Sequence, residues 1–242
     1  MTSASLSTNG AAFEDAVALA RASPSLAVGV HLTLVGEPPV SDPKTLPTLA
    51  PGGRLPHYFT LLFGRLLLGR VDPAEIEREL VAQVSRAADA GVAVSHLDSH
   101  QHVHLHPTLA PIVAGVARRF GIRAVRAARR IVGRGALRPL LLAPFSRLAA
   151  ARFRKDLLRT PDACLGLRET GKLDEARLLD LLNRLPPGTS ELVCHPGSDD
   201  QAIGRDYAWG FQWDEERRAL TSPSVKAKLQ ANRIALISYR DL

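Results

Sequence analysis

The sequence predicts an α/β fold in which parallel strands are joined by crossover helices. Short β-rich runs alternate along the chain with segments of helical periodicity, and this alternation is typical of a parallel sheet covered by helices. Hydrophobic residues make up 45% of the 242 residues, which is enough for a sizeable core in a single domain. We prefer an irregular (β/α) barrel to an open sheet because single barrels often have about this length, although periodicity alone does not decide between them.

Five segments have the spacing of amphipathic helices, with apolar residues three or four positions apart. They are residues 13–22, 72–91, 108–120, 173–185 and 222–232. The second segment has the clearest boundaries, because Asp72 and Pro73 are typical of a helix start and Gly91 of a helix end. Residues 131–159 are apolar and basic, and we expect them to be helical as well.

Five short β-rich runs are the predicted strands, and they cover residues 26–34, 92–97, 122–125, 190–195 and 234–238. Between the first two, residues 36–57 contain six prolines and are predicted to form a loop. Residues 58–68 are strongly apolar.

Composition and charge restrict the class of protein. The sequence has no apolar run long enough for a membrane-spanning helix, and its first ten residues do not resemble a secretory signal. The two cysteines, Cys164 and Cys194, are too few for a disulfide framework, so we expect a cytoplasmic protein. The net charge is +7, and residues 118–159 alone carry +12. Such a block is typical of a contact with an anionic surface or of a solvated basic face.

Histidines are concentrated where predicted strands end. Five of the eight histidines lie between His96 and His106, directly after one strand, while His31 and His195 end two others. In α/β barrels and open α/β sheets, reacting groups lie at the carboxyl ends of the strands. Three strands are therefore expected to bring histidines to one edge of the sheet.

This histidine pattern predicts a metal site, because neutral imidazole binds zinc and other first-row metals. A catalytic site requires about three protein ligands and an open position. His31 and one histidine of residues 96–106 would supply two of them. Asp98 is either the third ligand or a partner that orients a ligand imidazole. For His57 and His106 we favour an ordinary core or surface role.

Several motifs together resemble the YdjC-like carbohydrate deacetylase family. They are GVHLTL at 29–34, HLDSHQHVHLHP at 96–107, ELVCHPG at 191–197 and ALISYRDL at 235–242. The family includes chitooligosaccharide deacetylases and deacetylases of hopanoid biosynthesis, and the segment AWGFQWDEERRALTSP at 208–223 resembles the hopanoid branch. The resemblance implies an irregular (β/α) barrel that uses a divalent metal to hydrolyse an N-acetyl group of an amino sugar, with a hopanoid-linked glycolipid as one substrate.

Carried over residue by residue, the resemblance assigns His31 and His100 as metal ligands and His195 as a catalytic acid. Asp98, His102 and His104 are then expected to support the ligands or to contact substrate. Magnesium and zinc are the expected metals, without a choice between them.

The sequence departs from the family pattern at its start. The family begins with a strand that ends in Asp-Asp-Phe-Gly, whose aspartates serve as general base and third metal ligand, and this motif does not occur in the sequence. We therefore expect one barrel domain over residues 1–242 that lacks its first βα unit, binds metal weakly and turns over slowly. The alternative is an inactive relative that binds a membrane or a protein partner.

The basic segment at residues 137–158 also predicts a partner. Its large apolar residues and arginines are typical of a helix that lies on an anionic membrane surface, and residues 58–68 could extend such a surface. The alternative is an amphipathic helix that packs on the domain. We expect an amino-sugar or glycolipid substrate, a cytoplasmic protein with peripheral contact at the inner membrane, and no specific nucleic-acid partner. The sequence does not decide whether the protein forms a homodimer.

Overall fold

The computed structural model describes residues 1–134 and 141–242. These residues form two compact units. The first unit comprises Met1–Arg126, Leu148–Thr160 and Ile237–Leu242, and the second comprises Ala127–Arg147 and Pro161–Leu236. Each unit contains a parallel sheet of three strands, so the α/β class predicted from the alternation of elements is confirmed.

The first unit is built on the sheet β1-β2-β3. Its strands are β1 (Ser3–Leu6), β2 (Ala27–Leu32) and β3 (Val94–Ser99). Its helices up to residue 126 are α1 (Phe13–Ala22), α2 (Phe59–Leu67), α3 (Pro73–Asp89) and α4 (Leu109–Arg119). The predicted strand 122–125 contributes only isolated bridges, one from Val125 to Leu97 and one from Ala124 to Arg159.

Helix α3 shows how local sequence and packing combine. The Asp72 carboxylate accepts the Ala74 N–H at 2.9 Å and Pro73 occupies the first turn, as the sequence predicts. The helix also buries two carboxylates, Glu75 and Glu79. These accept backbone N–H groups of the proline-rich loop, at positions 48 and 49 for Glu75 and at 40 and 41 for Glu79. The loop, whose regular structure is limited to the short 3₁₀ turns Pro43–Thr45 and Pro51–Gly53, is thereby tied to the helix.

The second unit is built on the sheet β4-β5-β6. Its strands are β4 (Arg130–Ile131), β5 (Ala163–Leu165) and β6 (Ser190–Leu192). Helix α5 (Ala143–Lys155) begins in this unit and ends in the first. The remaining helices are α6 (Glu175–Asn183), α7 (Asp200–Asp206), α8 (Trp213–Thr221) and α9 (Pro223–Ala231). Buried leucines of β5 and α6 form the core together with Ala219 and Val225.

Two predictions about the sheets differ from the structure. Residues 234–238 form no strand, and the side chains of Leu236 and Ile237 are 64% and 44% exposed. A closed barrel is not shown, because each three-stranded sheet of the described residues is open and residues 122–125 and 234–238 add no continuous ladder. None of the described helices is long and apolar enough to cross a membrane.

Candidate functional site

The carboxyl ends of β1, β2 and β3 bring polar side chains together around Asp98. His31 lies opposite Asp98 in the parallel register of β2 and β3, and its Nδ1 is 2.9 Å from Asp98 Oδ1. The Ser5 hydroxyl donates to Asp98 Oδ2 at 3.0 Å. The Arg126 guanidinium forms an ion pair with the same oxygen. Both oxygens of this fully buried carboxylate therefore have partners.

The charge state of Asp98 follows from these contacts. Burial by itself would raise the pKa of Asp98, but the charge of Arg126 and the hydrogen bond from His31 outweigh it and hold the pKa well below its usual range. Asp98 is therefore a carboxylate at neutral pH and accepts a hydrogen bond from the His31 Nδ1–H. That contact places the lone pair of neutral His31 on Nε2, the nitrogen suited to bind a cation.

His100 lies next to His31. It begins the tight turn His100–Leu105 after β3, in which Gln101 and His102 have the left-handed φ values of 52° and 57°. Such values are uncommon outside glycine. The centroids of the His31 and His100 rings are 5.8 Å apart, with the planes at 73°. The structure thus brings together the two histidines that the resemblance assigns as ligands.

His104 lies on the same turn as His100 and is fully engaged in hydrogen bonds. Its Nε2–H donates to the Arg126 carbonyl at 2.6 Å, and its Nδ1 accepts from the Ser99 hydroxyl at 2.6 Å. The Ser99 oxygen in turn accepts the His104 backbone N–H. Burial lowers the pKa of His104 to about 4. Both ring nitrogens therefore form hydrogen bonds, and the neutral His104 side chain fixes the turn His100–Leu105 to the backbone at Arg126. We call this side chain the neutral clamp.

The other histidines of the segment differ in their surroundings. His102 is half-buried, and burial together with the charge of Arg126 lowers its pKa well below the usual range. His96 stacks on Tyr239 with ring centroids 3.8 Å apart. His106 is buried beside Phe63 and accepts the backbone N–H of residue 108.

His57 is exposed, whereas His106 is buried. These placements accord with the ordinary core or surface roles favoured for both residues.

His195 lies in the second unit, just after β6. It therefore follows a strand of the other sheet, and not the sheet of His31 and His100 as the sequence predicts. Its backbone N–H donates to Glu216 Oε2 at 2.5 Å, and its ring lies edge-on to Phe211 with centroids 5.2 Å apart. Glu216 is buried, which raises its pKa, and it also accepts the Leu173 N–H. The Glu216 carboxylate on α8 therefore fixes the backbone of the Cys-His-Pro segment.

Sequence reasoning missed Ser5, Arg126 and Glu216. Arg126 is one of twelve arginines between positions 118 and 159, and nothing local distinguishes it from the others. Ser5 lies 93 positions from Asp98. Among residues 1–134 and 141–242, no three His, Cys, Asp or Glu side chains are grouped so as to hold a metal ion. The donors beside Asp98 are therefore two histidines.

The chain is similar to known proteins in sequence and in structure. The model of the YdjC-like protein family matches residues 1–231. A carbohydrate deacetylase of Geobacillus stearothermophilus is 32% identical over 244 residues, which cover 100% of this chain and 86% of the relative. A chitooligosaccharide deacetylase of Klebsiella pneumoniae (strain 342) is 31% identical, with 100% and 88% covered.

A crystal structure from Enterococcus faecalis V583, of a protein named for cellobiose-phosphate cleavage, has the same fold. It superposes with a TM-score of 0.79 at 24% identity, covering 100% of this chain and 87% of that one. The match to the family model spans nearly the whole chain, and the relatives share close to a third of their residues with it. The chain belongs to the YdjC-like family.

Proposed function

We propose that this protein is a carbohydrate deacetylase that hydrolyses the N-acetyl group of an amino sugar. The relatives named carbohydrate deacetylase support this reaction class. The observation that carries the proposal is the His31–Asp98–Arg126 chain beside His100, in which a buried carboxylate orients one of two adjacent imidazoles. A hopanoid-linked glycolipid is our finer proposal for the substrate, supported by the resemblance of residues 208–223 to the hopanoid branch.

We propose a divalent metal, magnesium or zinc, as the cofactor, with His31 and His100 as its ligands. The centroids of the two rings lie 5.8 Å apart, so both imidazoles would be close enough to hold one divalent ion. Asp98 does not fit as a third ligand because both its oxygens already accept hydrogen bonds or an ion pair. With two protein donors, we expect weak metal affinity.

The residues of the chain then have separate tasks. A bound divalent cation supplies Lewis acidity for amide hydrolysis. Arg126 keeps Asp98 ionised, and Asp98 holds the proton on His31 Nδ1. Because its pKa is so low, Asp98 is a poor general base. We propose His195 as the acid that protonates the leaving amine, with its backbone held by Glu216.

The reaction is tested by acetate release from N,N′-diacetylchitobiose with added Mg²⁺ or Zn²⁺. We expect His31→Ala and His100→Ala to lower both acetate release and metal retention in equilibrium dialysis. Asp98→Asn is expected to weaken metal retention about 10- to 100-fold, as orienting partners of metal ligands do. His57→Ala, which changes an exposed histidine, is the matched control.

Two outcomes would contradict the proposal. Unchanged acetate release in His31→Ala and His100→Ala would show that these residues are not part of the site. Retained metal with no acetate release from any acetylated sugar would favour the alternative, a non-catalytic relative. His195→Gln is expected to lower acetate release while metal retention stays at the level of the unaltered chain.

We further propose peripheral contact with an anionic membrane surface through the basic segment. Of its predicted range 137–158, residues 137–140 lie outside the described residues. The described part supports the proposal because helix α5 and its flanks expose both cations and large apolar side chains. These are Leu141, Arg147, Leu148, Arg152, Lys155 and Leu157. Tyr58, Leu61, Leu67 and Leu68 in and around α2 are also more than half exposed.

Flotation with vesicles tests this contact. We expect the protein to float with phosphatidylglycerol vesicles and not with phosphatidylcholine vesicles, since the attraction is electrostatic. Arg147→Glu combined with Lys155→Glu should abolish flotation, whereas Arg54→Glu, at another exposed arginine, should not. Flotation that is absent, or unchanged in the double variant, would favour a helix that only packs on the protein.

A further inference from the structure

Four aromatic residues occupy alternate positions between α7 and α8. They are Tyr207, Trp209, Phe211 and Trp213, and we refer to them as the aromatic ladder. Consecutive ring centroids lie 4.7, 5.4 and 5.8 Å apart, within the range of favourable ring contacts. The ladder contains both tryptophans of the chain, and all four residues belong to the second unit.

The inner half of the ladder is fixed by two glycines. Gly171 has a φ of 74°, and a Cβ at this position would overlap the Phe211 ring. A Cβ at Gly197 would lie 2.9 Å from the Cβ of Trp213. Backbone hydrogen bonds join the same segments, from Gln212 N to Gly171 O and from Gly197 N to Trp213 O. The two inner rings are therefore held in place by close packing against backbone.

The outer half of the ladder faces solvent. Trp209 is 48% exposed and Tyr207 is 37% exposed, although burying such rings stabilises a fold by about 1.5–3 kcal/mol each. Adjacent large aromatic side chains left at the surface are typical of a binding site. Trp209 contacts the fixed Phe211 ring, and Tyr207 contacts Trp209. A ligand that binds the two outer rings therefore costs little side-chain entropy.

The ladder continues to His195. The Phe211 ring lies edge-on to the His195 ring, with centroids 5.2 Å apart, so a ligand on the exposed rings would lie near the proposed acid. Gln212 and Asp206, which are neighbours of the rings in sequence, also have exposed side chains. An apolar platform with polar groups at its edge matches a pyranose ring, which has an apolar C–H face and a rim of hydroxyl groups.

We propose that Trp209 and Tyr207 form a carbohydrate subsite, on which one pyranose ring of the substrate stacks while Gln212 and Asp206 bind its hydroxyl groups. This inference rests on the proposed function for the choice of a sugar, but the subsite itself requires no metal and no turnover. It gives the aromatic spacing of residues 207–213 a physical role in substrate recognition.

Calorimetric titration with N,N′-diacetylchitobiose, cellobiose and N-acetylglucosamine in the presence of EDTA tests the subsite without turnover. We expect Trp209→Ala to weaken binding of the preferred sugar roughly five- to tenfold, the scale of one aromatic contact. Trp209→Phe keeps a ring and should stay within about threefold of the unaltered chain. Leu236→Ala, which removes an exposed apolar side chain outside the ladder, is the control.

The outcomes separate this inference from the proposed function. If Trp209→Ala loses sugar binding and the unaltered protein releases no acetate, the subsite is supported and the proposed deacetylase function is wrong. Acetate release with an unchanged KM in Trp209→Ala overturns the subsite and leaves the deacetylase standing. If none of the three sugars binds, or if Trp209→Ala binds them as tightly as the unaltered chain, the subsite is wrong.

Discussion

The neutral clamp at His104 makes a quantitative prediction about acid stability. The His104 side chain is 1% exposed, and both its ring nitrogens are engaged, by Ser99 and by the Arg126 carbonyl. The ionisable groups that interact with it are Asp98, the Arg126 guanidinium and His31. Burial is the largest cause of the lowered pKa, about 4 in the folded protein against 6.5 for an ordinary histidine.

The sign and size of the effect follow from linkage. Between pH 6.5 and about 4 the unfolded chain carries a proton on this imidazole and the folded protein does not, so acidification favours the unfolded chain. At about 1.4 kcal/mol per pKa unit, the free energy of unfolding falls by about 3 kcal/mol across this window through His104 alone. Below the folded pKa the contribution of this group is constant.

Urea denaturation at a series of pH values measures the effect. Other groups titrate in the same window, so the informative quantity is the difference between the unaltered chain and His104→Gln. This variant keeps a donor for the Arg126 carbonyl but does not titrate. We expect its unfolding free energy to fall by about 3 kcal/mol less between pH 7 and pH 4, while His57→Gln falls like the unaltered chain. Parallel curves for all three would refute the assignment of His104 as a buried neutral clamp.

Three further substitutions test the packing and capping of the first unit. Asp98→Asn leaves Arg126 buried without its counter-charge and should cost about 3–5 kcal/mol of unfolding free energy; a loss below 1 kcal/mol would contradict the ion pair. Gly29→Ala would place a Cβ 2.5 Å from His96 and should cost about 1–3 kcal/mol by overpacking, seen as a lower Tm. Asp72→Ala removes a helix cap and should cost about 1 kcal/mol; an unchanged urea midpoint would show that the cap is unimportant.

Much of the secondary structure could be predicted from local pattern. The helix predicted at residues 13–22 has the bounds of α1, and the Asp72-Pro73 start of α3 is confirmed. Periodicity succeeds there because one face of each helix is buried, and capping depends on neighbours two or three positions away. Residues 234–238 show the limit, since an apolar run becomes a strand only when another strand pairs with it.

The convergence of His31, Asp98 and His100 was also predictable. Parallel strands place their carboxyl ends at one edge, so side chains that end β2 and β3 must lie close together. Local pattern did not distinguish ligand-like histidines from structural ones. His100 and His104 occupy the same short turn, yet one ring lies beside His31 and the other is locked between Ser99 and a backbone carbonyl.

The sequence by itself determined the α/β class, the helix starts and the edge of the sheet where His31 and His100 meet. These features depend on periodicity and on the direction of parallel strands, which are properties of short segments. Only the tertiary structure decided that Ser5 and Arg126 occupy one oxygen of Asp98, that His104 is a clamp and that the aromatic ladder leads to His195. Partners up to 93 positions apart are chosen by packing, since many serines and arginines could have filled the same role.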